Sequence, residues 1–178
     1  MQWILLLGLL ANVEDPYHLK NFTKLKYVTS IVKYADAHNH NPYELLAIAI
    51  TESRLKPKVV SKAGARGLFQ IMCKYWYKPL KYPTIKKCNK ALFNPKENIK
   101  AGAYVLTAFR RNYKQCKGDR AYRCYYAGAG WIRKKGKLGQ RIKRYEKKVR
   151  TTRRNLHIYY SDLIEDIRSS MNERSDDR

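Results

Sequence analysis

Glu52 is the residue of this chain best placed for acid–base chemistry. It follows the apolar run Leu45 to Ile50 and is itself followed at once by Ser53. A carboxylate at the end of an apolar helix is partly desolvated, which raises its pKa and keeps it protonated near neutrality. A general acid needs that state. The competing reading is an ordinary glutamate in a last helical turn, where the helix dipole disfavours an anion anyway.

Two other groups invite chemistry and carry less. His38-Asn39-His40 has the look of a metal-binding pair, but no third ligand stands nearby, so it reads as a polar helix end. The cysteines at 73, 88, 116 and 124 contain no CxxC pair, which speaks against zinc. In an oxidising space Cys73–Cys88 and Cys116–Cys124 would staple two short loops; in the cytosol all four would stay thiols. No metal or cofactor is assigned.

The elements that must position Glu52 can be read in order. A helix is expected from Asp15-Pro16 to about Ala37, with Leu25, Val28, Val32 and Ala35 on one face. Asn41-Pro42-Tyr43-Glu44 reads as N-cap, N1 proline and N3 glutamate, and opens the helix that ends at Glu52. Leu55 to Arg66 is basic, aperiodic and broken by Pro57, hence a loop. Gly64 and Gly67 permit tight turning and bring backbone close to a ligand, ahead of the turn-and-strand segment Gly67-Leu68-Phe69-Gln70-Ile71. The aromatics Tyr75, Trp76, Tyr77 and Tyr82 suit either stacking on sugar rings or the core. Asn94-Pro95-Lys96-Glu97 repeats the cap signature and launches a helix to about Tyr113, with Ile99, Gly102, Leu106, Phe109 and Tyr113 as its stripe. Gly102 within that stripe implies close approach of another backbone. Arg120 to Ala127 is a short helix. Arg133 to Arg154 is a helix with a charged outer face, keeping Ile142, Tyr145 and Val149 at helical spacing. Leu156 to Met171 reads as a last amphipathic helix, and Asn172 to Arg178 as a frayed polar tail.

At 178 residues the chain suits one domain with a proper core. Lys and Arg number 38 against 14 Asp and Glu, a net charge of +24. Such a charge concerns partners and not fold. Nucleic acid, an anionic membrane surface and acidic wall polymer are all admissible. The run Arg133 to Arg154 holds 12 cations and one acid, Glu146. Met1 to Ala11 has the length of a signal-peptide core and is too short to span a bilayer, although no Lys or Arg precedes it. The alternative is a docked N-terminal helix.

In sequence order, Glu52-Ser53, the segment Gly64 to Met72, Asn94-Pro95 with Glu97-Asn98-Ile99 and Ala101-Gly102, and Tyr125-Tyr126-Ala127-Gly128 form one pattern. Together they resemble the soluble lytic transglycosylase family, over roughly residues 27 to 131. The resemblance implies a mainly α, lysozyme-like fold with a small irregular or β segment. It implies that Glu52 is the catalytic glutamate, with Tyr125 placing its hydroxyl nearby. Ser53, Gly67, Leu68, Phe69, Gln70, Asn98 and Tyr126 then fall at substrate-binding positions. Two positions depart from the family pattern: Tyr126 stands where the family has Asn, and Cys73 where it often has Pro.

What the resemblance implies about chemistry agrees with the residues. Most glycoside hydrolases use two carboxylates, yet no Asp or Glu occurs between Ser53 and Lys96. One acid suffices if the muramoyl 6-hydroxyl is the nucleophile, cleaving the MurNAc–GlcNAc β-1,4 bond to a 1,6-anhydro end. A hydrolytic lysozyme on the same fold would need a second carboxylate, for which Glu97 and Asp119 are nearest in sequence. A basic nucleic-acid-binding or wall-binding protein without catalysis is the rival from another class. The expected partners are peptidoglycan strands and an anionic wall or membrane surface, with no specific nucleic acid. The expected location is the periplasm or wall, a phage particle or a secretion machine. The expected layout is a leader over 1–16, the catalytic domain over 17–150 and an amphipathic helix with tail over 151–178.

Overall fold

The computed structural model describes residues 15–176. The first 14 residues, on which most of the expected leader over 1–16 falls, and the last two residues lie outside the described residues. Among the described residues seven α-helices follow one another: α1 Phe22–Ala37, α2 Pro42–Ser53, α3 Cys73–Trp76, α4 Ile85–Ala91, α5 Pro95–Asn112, α6 Arg120–Ala127 and α7 Gly136–Asp176, with 3-10 turns at Lys114–Cys116 and Ala129–Trp131.

The two Asn-Pro signatures behave as their chemistry requires. The Asn41 side chain accepts the Tyr43 N–H, and the Asn94 side chain accepts those of Lys96 and Glu97, with proline in the first turn of each helix. The first helix begins later than expected. Asp15 accepts the N–H groups of Leu19 and Lys20 in a turn of its own, and Asn21 then caps α1 through Thr23.

Helix α2 is the axis of the fold. It is buried from Pro42 to Ile50 and again at Ser53, as a helix apolar on every side must be. Helix α7 packs against it most extensively and α1 also packs on it, while α5 packs on α1 and α6, and α6 on α7. Arg54 and Leu55 both take left-handed φ, 55° and 60°, which ends α2 directly after the site residue and turns the chain away.

The small β segment is reduced to two antiparallel bridges, Val60 with Arg66 and Arg66 with Ile71. Disulfides Cys73–Cys88 and Cys116–Cys124 are both formed. The first ties α3 to α4 across the aromatic segment.

At the C-terminal end, the basic helix and the amphipathic helix expected as separate elements are one run, interrupted at Tyr160 (φ −138°) instead of near residue 155. At that break the buried Tyr160 hydroxyl donates to Asp15 and accepts the Tyr17 N–H. The expected frayed tail is also helical, as far as Asp176.

Glu44 opened α2 in the sequence as an N3 glutamate. In the structure it is buried, taking a bidentate pair from Arg110 at 2.7 and 2.5 Å and the Tyr122 hydroxyl at 2.7 Å. His40, read from sequence as a polar helix end, is buried too. It receives Arg110 on Nδ1 and pairs through Nε2 with Thr107, and burial lowers its pKa. Arg153 of α7 donates to the same Tyr122 hydroxyl, so this polar network joins α2 to α5, α6 and α7.

Candidate active site

Glu52 stands in the last turn of α2, half-buried in the wall of a cleft of about 980 Å³. Desolvation pushes its pKa from 4.5 up to about 7, against the hydrogen bond from Tyr145 and the charge of Lys148, which pull it down. Tyr145 donates its hydroxyl to Glu52 Oε1 at 2.6 Å. Burial raises the Tyr145 pKa well above that of a free tyrosine, so the hydroxyl keeps its proton.

The segment facing Glu52 is held by buried polar staples. Ser53 Oγ shares its proton between the carbonyls of Ala49 (3.1 Å) and Leu68 (2.8 Å). Asn98 accepts the Phe69 N–H at 2.8 Å and donates to the carbonyls of Arg66 and Leu92 at 2.9 and 2.8 Å. Gly67 is obligatory here: its φ is 74°, and a Cβ would sit 2.1 Å from Asn98 Nδ2. Gly102 answers a packing need that differs from the sequence expectation. A Cβ there would lie 2.3 Å from the Phe69 ring, so it admits a side chain and not another backbone.

The predicted site residues thus separate into two layers. Glu52, Gln70, Tyr125 and Tyr126 line the cleft. Ser53, Leu68, Phe69 and Asn98 are buried beneath it, with Gly67 packed on Asn98, so this layer shapes the wall and offers no surface to a ligand. Gln70 takes a left-handed φ of 48° and donates its amide N–H groups to the carbonyls of Val59 and Gly67, at 3.1 and 3.0 Å. Tyr125 does not bond Glu52. Its hydroxyl donates to the Phe69 carbonyl at 2.8 Å, beside the Glu52 charge.

Tyr145 is the partner of Glu52 that sequence reasoning passed over. It occupied a core position between Ile142 and Val149, and helical spacing says which face it shares but not what that face meets. Tyr126 supports it, with rings stacked at 4.8 Å and 27°. Across the cleft, Trp76 packs edge-on against Phe109 and Tyr104, while Tyr75 and Trp131 are 65% and 51% exposed. The aromatic segment therefore gives the cleft both packed wall, through Trp76, and exposed ring surface, through Tyr75. Tyr77 and Tyr82 pack against the core instead.

The other two candidate acids are engaged elsewhere. Glu97 accepts the Tyr82 hydroxyl at 3.0 Å, and Asp119 pairs with Arg150 and Arg153. Neither lines the cleft. Among the described residues lining it, Glu52 is the one carboxylate.

The transglycosylase SLT domain family model matches residues 29–148, two thirds of the sequence. The chain belongs to this family. No curated protein matches the sequence. Among solved structures, an inactive mutant of lytic transglycosylase Slt from Pseudomonas aeruginosa aligns with a TM-score of 0.58 and 24% identity. The 70 kDa soluble lytic transglycosylase of Escherichia coli aligns with a TM-score of 0.59 and 22% identity. Each alignment covers 75% of this chain and 24% of the other, so the SLT domain chain spans about a quarter of those proteins. The shared fold is mainly helical and lysozyme-like. No helix among the described residues is long and apolar enough to cross a membrane.

Proposed function

We propose that this chain is a peptidoglycan lytic transglycosylase, cleaving the MurNAc–GlcNAc β-1,4 bond and leaving a 1,6-anhydro-MurNAc end. The observation that carries the reading is the isolation of Glu52: one carboxylate in an aromatic cleft, with a pKa near 7. Protonated Glu52 gives its proton to the glycosidic oxygen as the C1–O bond breaks. The resulting carboxylate takes the proton of the muramoyl 6-hydroxyl, whose oxygen bonds to C1. Glu52 ends as it began, and no water is consumed. Tyr145 keeps the carboxyl aimed through both transfers, and the exposed rings of Tyr75 and Trp131 hold sugar faces.

The substrate lies outside the cytoplasm, so the enzyme acts after export or delivery, opening the wall locally. Its +24 charge draws it to anionic wall or membrane surfaces through a field screened over about 8–10 Å at physiological ionic strength. Purified sacculi and mass spectrometry of the released muropeptides test the reaction. The expected products are one water lighter than hydrolytic ones. Reducing ends alone would replace this mechanism by hydrolysis.

A further inference from the structure

A second cleft, of about 820 Å³, opens between the start of α2 and the middle of α7. It shares no lining residue with the cleft of Glu52. Lys147, Arg150, Arg153 and Arg154 line it, together with His157 and Ile158. Positions 147, 150, 154 and 158 recur at i, i+3, i+7 and i+11, one row along the helix, about 16 Å long at 1.5 Å per residue.

The charge of this wall is only partly compensated. Glu146 is buried and held by Arg123 at 2.7 Å. Asp119 draws Arg150 and Arg153 at 3.1 and 3.2 Å. Glu44, itself paired with Arg110, also acts on Arg153, and Glu165 and Asp162 act on Tyr43 in the opposite wall. Lys147 and Arg154 are exposed and have no carboxylate within ion-pair distance among the described residues. Asp119 does more than neutralise: it holds two guanidinium groups in place, so less side-chain freedom is lost when an anion arrives.

Guanidinium groups suit phosphate oxygens, which they can meet two at a time. A concave site favours a chain lying in it over a flat bilayer. Tyr43, in the opposite wall, is buried with its ring 5.1 Å from that of His157. The one exposed aromatic ring in the lining, His157, is packed against Tyr43, and no exposed tyrosine or tryptophan lines this cleft for a base to stack on. We propose that the Lys147–Ile158 cleft binds a linear phosphate-bearing polymer without stacking bases. The site is independent of the reaction assigned to Glu52.

The test uses the full chain and long-chain inorganic polyphosphate as probe, at physiological salt. Lys147→Glu with Arg154→Glu is compared with Lys86→Glu with Lys90→Glu, exposed lysines on α4 away from both clefts that change the net charge equally. The cleft variant is expected to raise the Kd about tenfold or more, and the α4 variant less than about twofold, a gap of roughly 1 kcal/mol. Circular dichroism verifies that both variants fold. Equal weakening by both would mean that the whole-molecule charge does the binding, and would overturn the proposal. So would tighter binding of an oligothymidylate of equal charge, which would give the cleft to nucleic acid. Loss of binding to phosphatidylglycerol vesicles with polyphosphate binding intact would give it to a lipid surface and overturn it as well.

Discussion

Replacing Glu52 by Gln separates the cost of the site from its chemistry. The folded carboxyl titrates at about 7 against an ordinary 4.5, because ionising it in the cleft wall strips it of water. A carboxyl whose pKa is raised on folding destabilises the fold once ionised. The penalty is absent below about pH 4.5, grows up to about pH 7 and is complete above that. The gap of 2.5 between 7 and 4.5, at 1.36 kcal/mol per pH unit, corresponds to ~3 kcal/mol. Gln fills the same volume and still accepts from Tyr145, but carries no charge. Chemical denaturation at pH 4 and pH 8.5 should therefore find the variant close to wild type in acid and more stable by up to ~3 kcal/mol in base. Over the same series, activity on sacculi should fall by about 10⁴-fold or more, since one group performs both proton transfers. Wild-type activity should decline on the alkaline side as Glu52 loses its proton near pH 7. A stability difference that is flat with pH would refute the desolvation argument, and wild-type activity in the variant would refute the site.

Tyr145→Phe removes the 2.6 Å hydrogen bond that favours ionised Glu52, so the alkaline limb of the pH–rate profile should move up and kcat fall about tenfold; an unchanged profile would make Tyr145 mere packing. Arg110→Ala leaves the buried Glu44 carboxylate without its cation and should cost about 3–5 kcal/mol in denaturant unfolding, with a loss under ~1 kcal/mol arguing against the network's role. Gly102→Ala forces a methyl into the Phe69 ring and should lower stability by about 1–3 kcal/mol and activity with it, because Phe69 carries the chain that Tyr125 and Asn98 hold. If Gly102→Ala matches wild type in thermal melts and turnover, the tight approach is not structural.

Much of this molecule was legible locally. Asn41-Pro42 and Asn94-Pro95 start helices because a side-chain cap and a proline act within one turn, whatever surrounds them. The continuous apolar run before Glu52 has no polar face, so α2 had to be buried and its terminal carboxylate desolvated. The motif series from Glu52-Ser53 to Tyr125-Gly128 carried the family resemblance, and of its residues the fold brings Gln70, Tyr125 and Tyr126 to the cleft of that carboxylate. What lay beyond the sequence was which distant groups meet. Tyr145 reaches Glu52 across 93 positions, Glu44 meets Arg110 across 66, and Asn98 spends its whole amide on backbone 29 to 32 residues upstream and 6 away. Tyr160, and not the polar stretch before it, marks the break in α7, and its hydroxyl meets Asp15 and Tyr17, more than 140 positions away. Helical period, caps and turns are set by neighbours within a few residues. A hydrogen bond between buried side chains depends on how whole helices pack, and only the assembled core decides that.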